Sequence, residues 1–133
     1  MNNYILIIII IIIIIYRRSN CMKRKVGCIL TKNHYIISTG YNGTPRNIAN
    51  CYEGGCQRCN SNASMGTQLD LCLCLHAEEN ALLEAGRDKA NGATLYCNTC
   101  PCIGCTTKIS KFLFYTNFHI NINNLFLNII KTS

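Results

Sequence analysis

Charge is scarce in this chain. It has no tryptophan, two prolines and only six acidic residues, and charged side chains make up 14% of its 133 residues. A typical soluble domain carries about 25%. Lysine and arginine outnumber the acids enough to give a formal net charge of +7. Apart from Arg17-Arg18 and Lys23-Arg24-Lys25, however, the basic residues are scattered. That balance fits either a phosphate-bearing ligand or an ordinary solvated surface. No RNA-binding motif or aromatic stacking platform accompanies it, so nucleic acid is not expected as a partner. The first sixteen residues are expected to make a poor signal peptide, because they have no basic start and no small-residue cleavage site. Their apolar run falls short of the roughly 20 residues of a transmembrane helix, so membrane anchoring is not expected. The length allows one domain at most.

Cysteine is abundant by contrast, with eleven at 21, 28, 51, 56, 59, 72, 74, 97, 100, 102 and 105. The odd count and the poor signal peptide argue against a secreted disulfide scaffold. Metal thiolates and reduced buried thiols in the cytoplasm or nucleus fit better.

Two stretches carry the chemistry: Leu75-His76-Ala77-Glu78-Glu79-Asn80-Ala81-Leu82-Leu83 and Pro101-Cys102-Ile103-Gly104-Cys105. Together they read H-A-E followed by P-C-x-x-C, the pattern of zinc deaminases. A zinc that activates water takes three protein ligands and keeps a fourth position open. His76, Cys102 and Cys105 supply one nitrogen and two sulfurs, leaving Glu78 as a non-ligating acid/base. From Leu75 to Ala85 there is no glycine or proline, and apolar residues recur at helical intervals, which predicts a helix that Gly86 ends. Pro101 suits the first position of a second helix, on which Cys102 and Cys105 share a face. Two helix starts facing each other would stabilise thiolates through their dipoles and unpaired N–H groups. A lone C-x-x-C is weak support; the conjunction with H-A-E, a following helix and the strand-like Ala93-Thr94-Leu95-Tyr96-Cys97 is far more specific.

Residues 1–17 are expected to be a low-complexity poly-Ile segment, β-prone and without amphipathic pattern. Residues 18–110 read as the zinc domain. Within it, Val26 to Thr31 and Tyr35 to Gly40 are β-rich runs around the polar Lys32-Asn33-His34, which predicts an antiparallel hairpin with His34 facing solvent. The second strand, the first helix and Ala93 to Cys97 form a plausible βαβ unit. Asn42, in the loop Tyr41-Asn42-Gly43-Thr44-Pro45-Arg46-Asn47, can present its amide to a ligand or simply make a turn. Residues 51–74 form a Cys-rich insert with few apolar residues, so either a metal pins it or its thiols are free in a mobile loop. Residues 111–133 are an Asn/Ile-rich tail without a clear period, of which Lys111 to Tyr115 could start a strand.

Taken together, these residues resemble the deoxycytidylate (dCMP) deaminase family, most closely its fungal form. The resemblance rests on Ser19-Asn20-Cys21-Met22-Lys23-Arg24-Lys25-Val26-Gly27, Gly40-Tyr41-Asn42-Gly43-Thr44-Pro45-Arg46, Cys72-Leu73-Cys74-Leu75-His76-Ala77-Glu78 and Thr94 to Cys102. It implies a cytidine deaminase-like three-layer α/β/α fold with a central mixed sheet. It also implies a zinc-dependent hydrolase that converts dCMP to dUMP and ammonia, supplying dUMP for dTMP synthesis. In that reading Glu78 shuttles protons, Asn42 contacts the deoxyribose, and Arg46 and Arg24 are candidates for phosphate. Family members are commonly homohexamers activated by dCTP and inhibited by dTTP. A second, structural zinc is implied on Cys21, Cys51 and Cys74, with Cys59 as fourth ligand and Cys56 or Cys72 as alternatives.

Two departures from the family stand out. Poly-Ile occupies the place of an amphipathic first helix, and Lys111 onward does not match. The sheet is therefore expected to be incomplete at its C-terminal edge, and the chain to be a fragment or a misread coding sequence at its ends. Two other functions remain open: another zinc nucleobase or nucleoside deaminase, or an inactive zinc-binding module in which Cys56-x-x-Cys59 and Cys102-x-x-Cys105 share one metal.

Overall fold

The structure, a computed structural model, describes residues 2–112 and the backbone of 116–121 and 126–130. Its elements are α1 (Asn3–Tyr16), β1 (Gly27–Lys32), β2 (Tyr35–Tyr41), α2 (Ala77–Ala90), β3 (Thr94–Cys97), α3 (Ile103–Phe112), β4 (Thr116–Asn121) and β5 (Phe126–Ile130). The strands form one mixed sheet in the order β2-β1-β3-β4-β5. Among the described residues, only the β3–β4 pair is parallel.

The hairpin turns at Asn33 and His34, whose φ values are 51° and 67°. Positive φ at both central residues matches the right-handed twist of the flanking strands. His34 is exposed as expected, with its ring 4.5 Å from that of Tyr4. β2 and β3 each pair antiparallel with β1, so they run parallel to one another with β1 between them. The predicted β2–α2–β3 unit is thus a crossover that skips one strand.

Side-chain alternation divides β1 and β3 between two layers. Cys28, Leu30, Leu95 and Cys97 join Ala77, Ala81, Leu82, Ala85 and Ile109 in the core beneath α2 and α3. Ile29 and Tyr96 point the other way, into the cluster around Ile8 and Ile12 of α1. The result is the expected three-layer α/β/α arrangement.

The poly-Ile segment differs from its expectation. It is a helix rather than β-prone chain, capped by Asn2, whose side-chain oxygen accepts from the Tyr4 N–H at 3.0 Å. β-branched residues cost a helix a few tenths of a kcal/mol each, and burial against the sheet offsets that. Ile8 and Ile12, one helical turn apart, are 1% and 0% exposed. A uniform run encodes no face of its own; contact with β1 and β3 selects one and leaves Leu6, Ile7, Ile10 and Ile14 exposed.

The C-terminal expectation is also corrected. Lys111 and Phe112 finish α3 rather than starting a strand, while Leu113 to Tyr115 lie outside the described residues. β4 pairs with β3 and β5 with β4, filling the edge expected to be missing. The period-two alternation of Asn117-Phe118-His119-Ile120-Asn121 carries the strand signal, and the surrounding asparagines obscure it. Among the described residues, no helix is long and apolar enough to cross a membrane.

Candidate functional site

The site is built where two helix starts meet on one face of the sheet. α2 begins one residue after His76, which is its N-cap, and Glu78 falls in its first turn. Three contacts fix that start. Leu75 and Gly43 exchange backbone hydrogen bonds of 2.8 and 3.2 Å, pinning the chain just before His76. Ser38 Oγ donates to the Ala81 carbonyl at 2.8 Å, and Asn80 Nδ2 donates to the Tyr41 carbonyl at 2.9 Å. Gly40 permits the close approach, since a Cβ there would lie 2.1 Å from the Ala77 carbonyl oxygen. Gly86, with φ 73°, breaks the helix where the sequence predicts its end, and one further turn follows.

The second helix starts later than expected. Ile103 opens α3, Pro101 precedes it, and the Cys102 carbonyl accepts the first helical bond from Thr106 N–H at 2.8 Å. Cys102 is therefore the cap. Its Sγ accepts from the Cys105 N–H at 3.4 Å, the role usually taken by a Ser or Asp oxygen. Both sulfurs face the histidine, with Cys102 Sγ 3.5 Å and Cys105 Sγ 3.3 Å from His76 Nδ1. A tetrahedral zinc with ordinary Zn–N and Zn–S lengths places such atoms about 3.6 Å apart. Imidazole with two thiolates is also a donor set suited to zinc. The three residues therefore fit the ion, and the exposure of His76 and Cys102 leaves the fourth position accessible.

Glu78, two residues after His76, is 3% exposed and close enough to Cys105 to act on its thiol. Its carboxylate is grouped with the thiols of Cys28 and Cys97, which face each other across β1 and β3. Burial pushes the Cys105 thiol well above its ordinary value, and the neighbouring Glu78 carboxylate adds to the effect. Metal coordination would remove that proton, since zinc binds the thiolate. Across the gap between the two helices, Lys108 Nζ pairs with Glu79 Oε1 at 2.7 Å.

Asn42 is buried, and its amide is engaged within the chain. Oδ1 accepts from Ser19 Oγ at 2.6 Å and Val26 N–H at 2.8 Å, and Nδ2 donates to the Arg24 carbonyl at 2.6 Å. These partners fix which end of the amide is oxygen, and of its two N–H donors one goes to Arg24. Arg24 itself is exposed in a cleft of about 550 Å³ whose walls include Arg17, Arg18, Lys23 and Lys25. Arg46 lies elsewhere, on a second cleft of about 550 Å³ beside Tyr41, Leu75 and Asn80. The structure does not bring Arg24 and Arg46 into one cleft.

The insert is compact rather than loose. Two short 3-10 turns, Cys51–Glu53 and Leu69–Leu71, frame it. Cys21, Cys51, Cys59 and Cys74 are all buried, with their sulfurs within 4.8 Å of one another. Cys56 and Cys72 join Cys59 and Cys74 in a second set with the same spread. Asn60 Nδ2 donates to the carbonyls of Cys51 and Cys56 at 2.7 and 2.8 Å, tying the first loop around the sulfurs. Cys56 and Cys59 fall in a different group from Cys102 and Cys105, so the structure does not assemble the shared site of the zinc-module reading. Sequence reasoning missed Ser38, Gly40, Asn80, Cys28 and Cys97 as neighbours of the site. Their placement depends on strand register and helix crossing, which leave no local signal.

Comparison with known proteins gives the family. The family profile described as the cytidine and deoxycytidylate deaminase zinc-binding region matches residues 11–118. The deoxycytidylate deaminase of Schizosaccharomyces pombe is 57% identical over 111 residues, covering 79% of this chain and 34% of that protein. The deoxycytidylate deaminase of Saccharomyces cerevisiae is 62% identical over 93 residues, covering 69% of this chain and 29% of that protein. This chain thus spans about a third of the length of the yeast relatives it matches. Among solved structures, dCMP deaminase from the cyanophage S-TIM5, in complex with dCMP and dUMP, superposes with a TM-score of 0.63 at 29% identity. That match covers 84% of this chain and 76% of the phage chain.

Proposed function

This chain belongs to the cytidine and deoxycytidylate deaminase family, and from that premise we propose that it catalyses the zinc-dependent hydrolysis of dCMP to dUMP and ammonia. The observation that carries the proposal is the His76, Cys102 and Cys105 trio at zinc-ligand spacing, with the buried carboxylate of Glu78 as a neighbour of Cys105. His76, Cys102 and Cys105 would hold the ion. When bound, zinc supplies a Lewis acid that acidifies water near neutral pH.

The chain's own residues do the rest. Glu78 accepts a proton as water adds to C4 of the cytosine ring. It passes that proton to N3, then takes the proton of the new C4 hydroxyl and gives it to the amine nitrogen, so that the C4–N bond breaks, ammonia leaves and the uracil carbonyl forms. Its burial suits that exchange, because a carboxylate shielded from bulk water passes protons to the substrate rather than to solvent. The Nδ2 hydrogen of Asn42 not used by Arg24 is the group available for the deoxyribose. Arg24, within its cleft of five basic side chains, is the better-supported partner for the 5′-phosphate. Arg46 is an alternative on the other cleft. Cys21, Cys51, Cys59 and Cys74 are assigned a structural zinc. Activation by dCTP, inhibition by dTTP, assembly into a homohexamer and a cytoplasmic or nuclear location belong to the same reading.

A substrate panel with zinc analysis tests it. We expect dCMP to be deaminated in preference to deoxycytidine, cytidine and guanine. Glu78→Gln should lower turnover by about 10²–10⁴-fold while the zinc content stays the same. An unaffected rate would exclude Glu78 as the proton carrier, and preference for an unphosphorylated nucleoside would exclude the nucleotide reading.

A further inference from the structure

We propose that the Cys-rich insert holds two zinc ions in one cluster, bridged by the thiolates of Cys59 and Cys74. Cys21 and Cys51 complete the first tetrahedron, and Cys56 and Cys72 complete the second. The proposal rests on the structural-zinc reading above and extends it by a second ion.

The arrangement of the six sulfurs is the observation behind it. Two sets of four thiols meet the requirement for holding a metal, and they share two members, Cys59 and Cys74. Two tetrahedra that share an edge have this composition: two common corners and two private corners each. Zn–S bonds of about 2.3 Å at tetrahedral angles separate the sulfurs by about 3.8 Å. The shared edge, Cys59 to Cys74, measures 4.0 Å, and the private edge of the second set, Cys56 to Cys72, measures 3.8 Å. Both edges are already at the length an ion needs.

Charge favours the second ion. A zinc with four thiolates carries excess negative charge, which is costly to bury. A second zinc that recruits only Cys56 and Cys72 brings two positive charges for two further negative ones, so no net charge is added. Without it, Cys56, which is 0% exposed, would rest with Cys72 against the sulfurs of a charged site. The backbone contributes to both halves. Met22 N–H points at Cys51 Sγ and Leu73 N–H at Cys56 Sγ, each at 3.4 Å. Each tetrahedron therefore has a private thiolate that accepts an N–H, the bond that stabilises terminal metal thiolates.

The cluster also explains how the insert holds its shape. Most of its buried side chains are the cysteines themselves, and exposed Met65, Leu69, Leu71 and Leu73 contribute no core. The first ion ties 21 and 51 to 59 and 74. The second ties 56 and 72 to the same pair, closing the loop from both sides.

Native mass spectrometry of the full zinc-loaded chain tests the proposal. We expect about three zinc ions per chain, counting the one on His76, Cys102 and Cys105, and one fewer in Cys56→Ser/Cys72→Ser. Two ions in both proteins would overturn the bridged pair while leaving a single structural zinc. One ion in both would overturn the structural-zinc reading as well. A measurement on the unaltered sequence avoids any folding defect of the variant. After exchange with cadmium-113, the β-protons of Cys59 and Cys74 should each correlate with two cadmium resonances, whereas those of Cys21, Cys51, Cys56 and Cys72 should correlate with one. Correlation of every cysteine with a single cadmium would overturn the bridge.

Discussion

The proposed catalytic centre and the Cys-rich insert both gather thiols, but they do so by different physical means. At the catalytic centre, His76, Cys102 and Cys105 are carried on the starts of α2 and α3. Those helices pack on the sheet through Ala77, Ala81, Leu82, Ala85 and Ile109. Apolar burial of this kind contributes about 25 cal/mol per Å², so the scaffold holds the ligands close before any metal arrives. In the insert, the sulfurs are the core: the cluster consists of cysteines alone. There the proposed metal would supply the folding energy that side-chain burial supplies elsewhere. In the proposed reading one centre is a preformed site that binds an ion, and the other is a segment folded around its metal.

Removing metal separates the two most strongly. Structural zinc contributes roughly 10–16 kcal/mol in small domains, comparable to the whole net stability of a typical domain. Cys59→Ser/Cys74→Ser, which removes the pair common to both four-thiol sets, should therefore unravel 51–74, detected as rapid amide exchange and proteolytic cleavage within the insert, while the amides of β1 and β3 stay protected. Cys102→Ser should abolish activity without changing exchange in the insert. Collapse of both regions together in the first variant would show that they form one cooperative unit and would break the distinction.

A second perturbation acts on the catalytic side alone. At Gly40 a Cβ would meet the Ala77 carbonyl oxygen at 2.1 Å and Ala81 N at 2.6 Å, both backbone atoms that cannot turn aside. Gly40→Val should push α2 off β2, costing about 1–3 kcal/mol through overpacking. Because Glu78 sits one residue beyond Ala77, a displacement near 1 Å should lower turnover by about 10²-fold. Denaturant unfolding and steady-state rates would measure both effects, and the zinc content of the insert should be unchanged. Native activity in this variant would mean that α2 tolerates a shifted start.

The same contrast explains what can be read from the sequence. His76, Glu78, Cys102 and Cys105 are legible because the spacing within each helix start encodes which side chains share a side, and only the meeting of the two starts is left to the fold. The hairpin is legible through its β-branched runs and the polar turn at Asn33. Gly40 is not, because its role depends on where α2 crosses β2, some forty residues later in the chain. The register that sets Cys28 opposite Cys97 beneath Glu78 is equally silent in local sequence. Poly-Ile misleads in another way: its composition favours strands, yet tertiary burial of Ile8 and Ile12 decides for a helix. In the insert, cysteine density points to a metal but not to which sulfurs would share it, since six thiols along a loop admit several pairings until the chain is folded.

The smallest expected effect concerns the bridge between the two catalytic helices. Lys108 and Glu79 join α3 to α2 at 2.7 Å, with side chains 50% and 27% exposed. The hydrogen bond from Lys108 to Glu79 raises the lysine pKa, a shift that means little for stability at such exposure. If the helix starts are held by the packing of Ala77, Ala81 and Ile109, Lys108→Ala should cost only about 0.2–1 kcal/mol, and that cost should shrink as salt is raised. Turnover should stay within about twofold, since 0.4 kcal/mol corresponds to a factor of about two. A loss of tenfold or more that salt reproduces in the unaltered chain would mean that charge, rather than packing, sets the distance between His76 and the two cysteines. The catalytic centre would then be less rigid than its burial implies.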